Sequence, residues 1–481
     1  MRNWGKSSTF AAKINSNGGY SNLHYRKYIT KNKRVMNFFD RKNEQKTLLS
    51  IKEQSVQDCS RMTVITGRRR IGKTMLIRHT FSEDELIYLF VARKSEIELV
   101  ESYIAIIREK GLYIPDGLQR FSQLMRHLFE LGKTQALTIA IDEFQEFDNI
   151  NPSVFSDMQN LWDNYKEQTH LNLVISGSAY RLMQKIFMDK DEPLFNRADA
   201  IIRLQPFSIA TQKQILATYS PNYTSDDLLA MYAITGGVPK YLAWLFDNGC
   251  KTKDEMYAAV FSENSHFIEE GRTLLVSEFG KNYGIYFSIL QEIAMGNTTQ
   301  AQIEAKLGGI SIGGYLKQLE NTYSLIRRVR PLFAKKESKT VRFAIRDQFL
   351  HFWFHHIEKN RSLVEIQNFE GLLMLAMNSY TTYSGLVLED YFRRKLAETG
   401  EWREIGCWWQ AKAIEYHSQQ IDAELDIVAL PLMGRGALVA EVKRKREEYE
   451  HELFMTKVQY LKQKHLHTYS IETKLFTLTE M

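Results

Sequence analysis

Residues 62–74 are Met-Thr-Val-Ile-Thr-Gly-Arg-Arg-Arg-Ile-Gly-Lys-Thr, a short apolar strand that leads directly into the pattern G-x-x-x-x-G-K-[ST]. Gly67 and Gly72 permit positive φ and close approach, so that successive backbone N–H groups can point at a phosphate. The spacing predicts a phosphate-binding loop in which Lys73 bridges the β- and γ-phosphates of a nucleotide and Thr74 contacts Mg²⁺. The helix that follows adds its positive end to anion binding. A Gly- and Arg-rich surface turn is the alternative, and the strand–loop–helix context argues against it.

A second apolar run, residues 137–141, ends in the acidic pair Asp142 and Glu143. Such a run is typical of a buried parallel strand, whose carboxyl end faces the crevice in which α/β sheets bind their ligands. Nucleotide hydrolysis needs a carboxylate near the Mg²⁺ and a residue that orients the attacking water. We therefore expect Asp142 to serve the metal and Glu143 to polarise the water.

A third apolar strand, residues 171–178, carries small hydroxyl residues at its end. We expect it to lie between the other two strands, where Ser176 or Ser178 can donate a hydrogen bond to the γ-phosphate. The alternative for either serine is a plain strand followed by a turn.

The phosphate loop also contains surplus arginines. A cradle made of backbone N–H groups does not require the side chains of Arg68 and Arg69. They therefore face a partner or nucleic acid, or only solvate the loop.

Six segments of the first half form a recognisable set around these motifs. They are Phe39-Asp-Arg-x-x-Glu44, the loop 67–74, Ile141-Asp-Glu-Phe-Gln145, Pro193-Leu-Phe-Asn-Arg197, Leu204-Gln-Pro-Phe-Ser208 and Thr235-Gly-Gly-Val-Pro-Lys-Tyr241. Together they make residues 36 to about 250 similar to the archaeal and bacterial ATPase family of the AAA+/STAND P-loop class. The resemblance implies ATP and Mg²⁺ as cofactors. It also implies an α/β fold, with a P-loop NTPase parallel sheet followed by a helical lid.

The same resemblance assigns roles to single residues. It implies that Arg41 and Glu44 lie near the adenine, that Pro239 in the lid touches the base, and that Arg197 is a γ-phosphate arginine, in cis or in trans. In the family a glycine more often precedes this arginine, whereas Asn196 precedes it here, and an exposed, salt-bridged arginine is the alternative. The expected nucleotide contacts are Arg41, Gly67, Arg68, Arg69, Arg70, Ile71, Gly72, Lys73, Thr74, Asp142, Ser178 and Pro239.

Length and composition fit a soluble globular protein of two or three domains. The chain has 481 residues, of which 44% are apolar and 25% charged. No run of about 18 apolar residues occurs, which argues against a membrane-spanning helix. Cys59, Cys250 and Cys407 are far apart and lack metal-ligand spacing. We therefore expect no disulfide framework, no zinc site and a cytoplasmic location.

The positive net charge is concentrated at the amino end. Residues 1–39 contain eight basic and no acidic residues, so that the net charge of +6 becomes −2 for the rest of the chain. We expect residues 1–35 to form a disordered basic leader. An organelle transit peptide has similar chemistry. An upstream start codon, with Met36 as the true beginning, is the explanation we favour.

Residues 276–360 have the pattern of short helices followed by a hairpin, which resembles a winged helix-turn-helix. The expected helices lie at 287–294, 298–306 and 312–319, and the expected strands at 325–331 and 340–346. Residues 281–346 contain eleven basic and four acidic residues, an excess that favours contact with DNA. A module that only packs or contacts protein is the alternative, because no base-reading residue can be named.

Residues 361–481 contain a hairpin that places charged residues together. Asp426 lies on its first strand, and Glu441 and Lys443 are two apart on its second, so that they share a face. Two carboxylates and a lysine suit a Mg²⁺-dependent phosphodiesterase, because the acids hold the metal and the lysine positions or activates water. With the helical Glu389 upstream, the arrangement resembles the PD-(D/E)xK nuclease fold, an α/β restriction-endonuclease-like domain found in this ATPase family. A relative without metal is the alternative.

The leading hypothesis is an ATP-hydrolysing switch coupled to DNA binding and to a nuclease-like domain. The alternatives are a nucleotide-responsive DNA-binding regulator and a scaffold that binds a protein partner, each with an inert C-terminal domain. An oligomer follows if Arg197 acts in trans. The catalytic candidates are Lys73, Glu143, Arg197, Asp426, Glu441 and Lys443, and the metal candidates are Thr74, Asp142, Asp426 and Glu441. The predicted divisions are the leader 1–35, the ATPase core 36–205, the lid 206–275, the winged helix 276–360 and the nuclease-like domain 361–481.

Overall fold

The structure is a computed structural model that describes residues 36–178, 180–279, 283–335, 340–410 and 412–481. The predicted leader, residues 1–35, lies outside the described residues. The described chain contains a parallel sheet, a helical unit, a unit of three helices and a hairpin, and a mixed sheet, in that order. None of the helices described is long and apolar enough to cross a lipid bilayer.

The first unit is a five-stranded parallel sheet with helices around it. Its strands are β1 (Arg61–Thr66), β2 (Leu86–Phe90), β3 (Leu137–Asp142), β4 (Leu171–Gly177) and β5 (Ala200–Arg203). Its helices are α1 (Lys42–Gln57), α2 (Lys73–Thr80), α3 (Glu96–Glu109), α4 (Phe121–Leu131), α5 (Phe147–Ile150), α6 (Ser153–Tyr165) and α7 (Tyr180–Met188). All residues of β3 and β4 are buried, as expected of central parallel strands. The strand order β2-β3-β4-β1-β5 places β4 between the loop strand and the acidic strand, as the sequence predicts.

Five helices form the unit predicted to be the lid. They are α8 (Ile209–Tyr219), α9 (Ser225–Thr235), α10 (Pro239–Asp247), α11 (Lys253–Val260) and α12 (His266–Phe279). Hydroxyl groups of Ser208, Thr224 and Thr252 cap α8, α9 and α11 at their first turns. Every residue of α9 from 227 to 235 is buried, because other helices surround it. The boundary predicted at residue 275 falls within α12, which continues to Phe279.

The next unit has the predicted order of three helices and an antiparallel hairpin. The helices are α13 (Tyr283–Ala294), α14 (Gln300–Lys306) and α15 (Gly313–Lys317), and the strands are β6 (Ile326–Val329) and β7 (Arg342–Ile345). Two helices, α16 (Gln348–His356) and α17 (Arg361–Glu365), then lead to the last unit. The aromatic face of α16 is buried against α9, α12 and α13. The hairpin is therefore connected to the lid through a fully packed helix.

The last unit is a mixed four-stranded sheet preceded by a long helix. Its elements are α18 (Phe369–Ala397), β8 (Trp402–Trp409), β9 (Ile414–Tyr416), β10 (Gln419–Ile421), β11 (Glu424–Pro431), β12 (Gly436–Val442), α19 (His451–Lys464) and β13 (Ser470–Phe476). The sheet has the order β13-β12-β11-β8, in which β12 and β13 are parallel and the other neighbours antiparallel. The short hairpin β9–β10 forms a separate pair. This arrangement agrees with the α/β architecture expected for residues 361–481.

One apolar core connects the last three units. It includes Ile234 of α9, Phe349 of α16, Leu388 of α18 and Ala440 of β12. Because protein interiors are close-packed, a displacement of one of these elements is transmitted to its neighbours. The lid and the C-terminal sheet are therefore in mechanical contact.

The segment after β6 docks on the C-terminal sheet. The N–H of Leu332 donates to the carbonyl oxygen of Cys407 on β8 (3.0 Å), and the Leu332 side chain belongs to the core of that sheet. The ring of Phe333 stacks on His465, with centroids 4.8 Å apart. The hairpin unit is thus attached to both the lid and the C-terminal domain.

Candidate nucleotide site and carboxylate cluster

The phosphate loop turns between β1 and α2, with a glycine at each of its two tightest points. A Cβ atom at Gly67 would lie 3.0 Å from the backbone oxygen of Leu204 and 3.0 Å from Cγ2 of Ile71. Gly72 caps α2 with a φ of 93°, which is strained for residues that have a side chain. The backbone therefore follows the path that a phosphate cradle requires.

Lys73 begins α2 and lies buried beside the loop. Its Nζ donates to the carbonyl oxygens of Gly67 (3.0 Å) and Arg68 (3.2 Å). Burial lowers the pKa of Lys73, and the nearby Glu143 and Asp142 oppose this shift. Phosphate oxygens are stronger acceptors for an ammonium group than these carbonyls. The lysine is thus positioned to exchange its present partners for a nucleotide.

Asp142 receives three hydroxyl hydrogen bonds at the end of β3. Thr74 Oγ1 and Tyr88 Oη donate to its Oδ2 (2.6 and 2.5 Å), and Ser176 Oγ donates to its Oδ1 (2.6 Å). Burial alone would raise the pKa of Asp142, but these hydrogen bonds outweigh it and the pKa is lowered. Asp142 is therefore ionised near neutral pH and is joined to Thr74, as a shared Mg²⁺ site requires.

Glu143 follows with a left-handed φ of 58°. Such backbone conformations are uncommon for residues other than glycine and concentrate at functional sites. Its Oε2 accepts hydrogen bonds from Ser178 Oγ and Gln145 Nε2, both at 2.6 Å. Each of the two serines considered as phosphate sensors therefore contacts one of the two acids, since Ser176 bonds Asp142 and Ser178 bonds Glu143.

Arg41 is buried and connects three segments. Its guanidinium donates to the carbonyl oxygens of Gln205 (2.7 Å) and Ile71 (3.5 Å) and pairs with Glu44 (3.2 Å). It also lies over the ring of Phe207, 4.8 Å from the centroid. These contacts place Arg41 next to the loop, and its contact with adenine stays a prediction.

Pro239 opens α10 at the side of the loop that faces the lid. A Cβ atom at Gly72 would lie 3.9 Å from Pro239 Cγ, and the N–H of Lys240 donates to the carbonyl oxygen of Arg70 (3.4 Å). The start of α10 therefore borders the loop, and the contact of Pro239 with the base stays a prediction.

Two of the loop arginines pair with acids from later parts of the chain. Arg70 forms a bidentate ion pair with Glu270 of α12 (3.0 and 3.1 Å), and Arg68 pairs with Asp347, the N-cap of α16. Arg69 is exposed. The expectation that Arg68 faces a separate partner, or only solvent, is therefore wrong for the described structure, because its partner belongs to the same chain.

The contacts of Arg197 all lie outside the phosphate loop. Its guanidinium forms a bidentate pair with Asp163 of α6 (2.9 and 2.8 Å) and donates to the carbonyl oxygens of Pro193 and Phe195. This is the salt-bridged arrangement that the sequence leaves open as the alternative. A role at the γ-phosphate stays a prediction, and it requires the pair with Asp163 to open.

Asp426, Glu441 and Lys443 come together on β11 and at the end of β12. Lys443 Nζ donates to Glu441 Oε1 (2.9 Å), and the N–H of Val442 donates to Asp426 Oδ2 (2.8 Å). Burial, with the charges of Glu389 and Glu441, raises the pKa of Asp426 to about 7. Glu441 is buried, and its Oε2 has no hydrogen-bond partner within the described part of the chain. A buried carboxylate oxygen without a partner fits a bound cation.

Glu389 of α18 borders the same cluster. Its Oε2 accepts from Arg393 (3.2 Å), which also donates to the carbonyl oxygen of Asp426 (3.0 Å). Burial raises the pKa of Glu389, and Arg393 opposes the shift. Within the described ranges, no three His, Cys, Asp or Glu side chains are grouped closely enough to hold a metal ion by themselves. A cation at Asp426 and Glu441 therefore needs backbone or water oxygens as well.

Comparison with known families accounts for the first of these two sites. Residues 38–245 match the model of an ATPase domain found predominantly in Archaea. This stretch, which makes up less than half of the chain, is therefore similar to the ATPase domain of that family. Residues 353–454 match a second model, which groups archaeal and bacterial proteins of unknown function. The ATPase domain covers the parallel sheet and the first lid helices, whereas the second match begins in α16 and ends in α19.

Two individual proteins are similar to this chain over most of its length. An uncharacterized protein of Methanocaldococcus jannaschii is 27% identical over 423 residues, which are 85% of this chain and 88% of that protein. The structure of a Walker-type ATPase of Pyrococcus abyssi has a TM-score of 0.52 and 18% identity, and the match covers 68% of this chain and 98% of that one. The structural likeness confirms the P-loop fold of the ATPase domain.

Three arginines of the unit formed by α13–α15 and the β6–β7 hairpin are paired with acids of the same chain. Arg327 pairs with Asp390 of α18 (2.8 Å), and Arg342 forms a bidentate pair with Glu424 of β11 (2.6 and 3.1 Å). Arg328 pairs with Glu320 (2.7 Å). The local positive charge found in the sequence is therefore reduced by intramolecular ion pairs, two of which lead to the C-terminal domain.

Other basic residues of this unit remain available. In the portion of the chain that is described, Lys306 on α14 and Lys317 on α15 form no ion pair. These two lysines lie on the helices that a winged helix-turn-helix presents to nucleic acid. They are thus better candidates for phosphate contacts than the arginines of the hairpin.

Sequence reasoning missed Glu270, Asp347 and Asp226, the acids that connect later helices to the loop and to β12. One signal pointed to the first two acids but not to Asp226, since three consecutive arginines exceed what a backbone phosphate cradle needs. Arginine side chains that are drawn into a protein require acidic or carbonyl partners. Their identity, however, depends on contacts between residues about 200 and 280 positions apart, which a single sequence does not reveal.

Proposed function

We propose that the protein hydrolyses ATP and uses its nucleotide state to control a Mg²⁺-dependent phosphodiesterase site in the C-terminal domain. The ATPase domain binds the nucleotide at residues 67–74, the lid changes its contacts with the loop, and the change reaches the carboxylate cluster through packed helices. DNA is the proposed substrate, bound in part by the winged-helix unit.

The residues of the ATPase domain suit ATP with Mg²⁺. The backbone N–H groups of the loop and the ammonium group of Lys73 hold the β- and γ-phosphates. Thr74 and Asp142 hold the Mg²⁺ ion and its water ligands. A bound Mg²⁺ neutralises charge on the phosphate oxygens. Glu143 orients and polarises the attacking water, and Ser178 fixes the glutamate by the hydrogen bond at 2.6 Å.

The residues of the C-terminal cluster suit a second metal-dependent site. Asp426 provides a half-buried carboxylate and Glu441 a buried one, and the free Oε2 of Glu441 provides an unused acceptor. A bound Mg²⁺ would act as a Lewis acid toward a phosphodiester. Lys443 lies within hydrogen-bond distance of Glu441, where it positions water or stabilises the developing charge.

The contact between Arg444 and Asp226 is the observation that carries the proposal. Arg444 follows Lys443 in the chain, and its guanidinium donates to Oδ1 of Asp226 at the start of α9 (2.8 Å). The other end of α9 leads through Gly236 and Gly237 to Pro239 beside the phosphate loop. One buried helix therefore connects the nucleotide site to the strand end that carries Lys443.

The test is Mg²⁺-dependent cleavage of single-stranded, double-stranded and branched DNA, with and without ATP. We expect cleavage by the wild type that depends on ATP, loss of cleavage in Lys443→Ala, and normal cleavage in Lys445→Ala. Lys445 is a matched control, because it is a lysine two positions further along and is exposed. Cleavage that persists in Lys443→Ala would contradict the assignment of this site.

A nucleotide-responsive DNA-binding regulator is the second candidate. The described cluster lacks a third acidic metal ligand, and this absence favours a C-terminal domain without catalysis. The free lysines of α14 and α15 support DNA binding in either case. Salt-dependent DNA binding without cleavage, in a protein that hydrolyses ATP, would select this candidate.

A further inference from the structure

The phosphate loop contains a residue in a conformation that usually belongs to glycine. Arg70, at the fourth position of the loop, has a φ of 72°. The left-handed region is unfavourable for a residue with a Cβ, so that a loop with arginine at this position tends to leave it. The inward direction of the neighbouring N–H groups depends on this conformation, because a phosphate cradle alternates right- and left-handed residues.

Contacts from the lid hold the Arg70 side chain. Both oxygens of Glu270 accept from its guanidinium, and Glu270 is only 4% exposed. Tyr241 Oη donates to the same carboxylate (3.2 Å), and the guanidinium lies 5.2 Å from the centre of the Trp244 ring. Planar, bidentate pairing fixes an arginine in orientation as well as position. The side chain is thus anchored in a rigid frame made by α10 and α12.

We propose that Glu270 is a positioning residue for nucleotide binding, because its ion pair with Arg70 keeps the phosphate loop in its left-handed, phosphate-accepting conformation. The inference rests on the proposed binding of ATP at residues 67–74. Glu270 acts through the backbone of Arg70 and not by contact with the nucleotide.

The position of α12 then determines how well the loop binds phosphate. When α12 lies against the loop, Arg70 is anchored and the N–H groups converge. When α12 moves away, Arg70 loses its partner and the loop relaxes toward conformations that bind phosphate poorly. Nucleotide binding and lid position are coupled in both directions, because such a linkage is reciprocal.

The experiment measures the Kd of Mg²⁺-ATP and of Mg²⁺-ADP for four variants of the full chain. They are Glu270→Gln, Arg70→Gly, the double variant, and Glu146→Gln as a control that removes another bidentate arginine pair, that with Arg93. We expect Glu270→Gln to weaken binding about tenfold in the natural background. In the Arg70→Gly background the same change should have less than about a twofold effect, because glycine adopts the left-handed conformation without support.

A second comparison does not require the Glu270 variant to fold. Arg70→Ala and Arg70→Gly both remove the ion pair, but only alanine retains the unfavourable left-handed conformation. We expect the alanine variant to bind ATP about tenfold more weakly than the glycine variant, with kcat at saturating ATP nearly equal. Equal affinities of the two would overturn the inference.

The outcomes separate this inference from the proposed function. If Glu270→Gln weakened nucleotide affinity equally in the natural and the Arg70→Gly backgrounds, Glu270 would support only the lid, through Tyr241. This result would overturn the inference and leave the proposed function intact. A wild-type protein that binds no nucleotide would overturn the proposed function, and the inference with it. Effects in Glu146→Gln as large as in Glu270→Gln would also contradict the proposal, since Arg93 lies outside the loop.

Discussion

Arg444 and Asp226 form an ion pair (2.8 Å) between the residue after Lys443 and the first turn of α9. Tyr380 Oη also donates to this aspartate (2.7 Å). Burial alone would raise the pKa of Asp226, yet these hydrogen bonds and the charge of Arg444 lower it. The pair therefore stabilises the contact between the lid and the C-terminal sheet in its charged form.

Replacement of this pair should uncouple the phosphate loop from the carboxylate cluster of Asp426 and Glu441. We expect Arg444→Gln to hydrolyse ATP at the wild-type rate, whereas ATP no longer changes Mg²⁺-dependent DNA cleavage. A double-mutant cycle with Asp226→Asn, followed by urea denaturation, should give a coupling energy of about 1 kcal/mol. The pair of Arg93 and Glu146, in which only Arg93 is exposed, is the control and should give a coupling energy of a few tenths of a kcal/mol. ATP-dependent cleavage that is retained in Arg444→Gln would exclude this route.

Glu143→Gln should separate nucleotide binding from hydrolysis. The amide cannot act as a base, so that kcat for ATP should fall about 100-fold or more, while the Kd of ATP changes little. Ser178 and Gln145 can still bond the amide, which keeps the backbone in place. Glu146→Gln is the control with full activity expected. Steady-state phosphate release gives kcat, and nucleotide titration gives the Kd. An unchanged kcat would show that a residue other than Glu143 is the base.

On the proposal that α14 and α15 contact DNA, the lysines of these helices and the arginines of the β6–β7 hairpin should differ in their effect on DNA binding. Lys317→Ala should weaken DNA binding in all sequences tested and reduce the slope of log K against log salt by about 1, because one phosphate contact is lost. Arg342→Ala should leave that slope unchanged and lower the free energy of unfolding by about 1 kcal/mol, because its pair with Glu424 is lost. If Arg342→Ala reduced the slope and Lys317→Ala did not, the hairpin and not the helices would contact DNA.

Acidification below about pH 6.5 should destabilise the junction at α16. Burial lowers the pKa of His351 to about 4, and His356 is lowered well below its usual value for the same reason. Between the unfolded pKa near 6.5 and the folded pKa the unfolded chain binds more protons, so stability is complete above pH 6.5 and falls as the pH decreases toward 4.

The size of this effect can be measured with one variant. We expect the His351 contribution alone to cost the wild type about 2 kcal/mol between pH 6.5 and 4.5, as measured by denaturant unfolding. His351→Gln should keep the hydrogen bond to Tyr383 and show a smaller dependence on pH over this range. An unchanged slope in the variant would show that other groups cause the loss.

The sequence predicts the elements whose signals are local. The loop at 67–74, the acidic end of β3 and the hydroxyl end of β4 are each specified by a short apolar run followed by defined polar residues. The hairpin of Asp426 and Glu441 is specified by alternation and a turn. In each case the pattern and the structure depend on neighbouring residues only.

The contacts between units could not be predicted in this way. The pairing of Arg70 with Glu270, or of Arg342 with Glu424, requires knowledge of how the lid and the hairpin pack on other units. A net charge of a segment also says nothing about which charges are neutralised within the chain. For this reason the charge excess of residues 281–346 favours DNA contact in the sequence, although three arginines of the hairpin are paired with acids of the same chain.

The hydrogen bond from Leu332 to Cys407 has a consequence for the separated C-terminal domain. β8 is the outer strand of its sheet, and strands with free N–H and C=O groups readily pair with other molecules. The segment after β6 covers part of this strand and buries Leu332 beneath it. A fragment of residues 361–481 would lose this cover, and its outer strand would be open to association with a second copy. The hairpin unit thus protects the outer strand of the C-terminal sheet from pairing with other molecules.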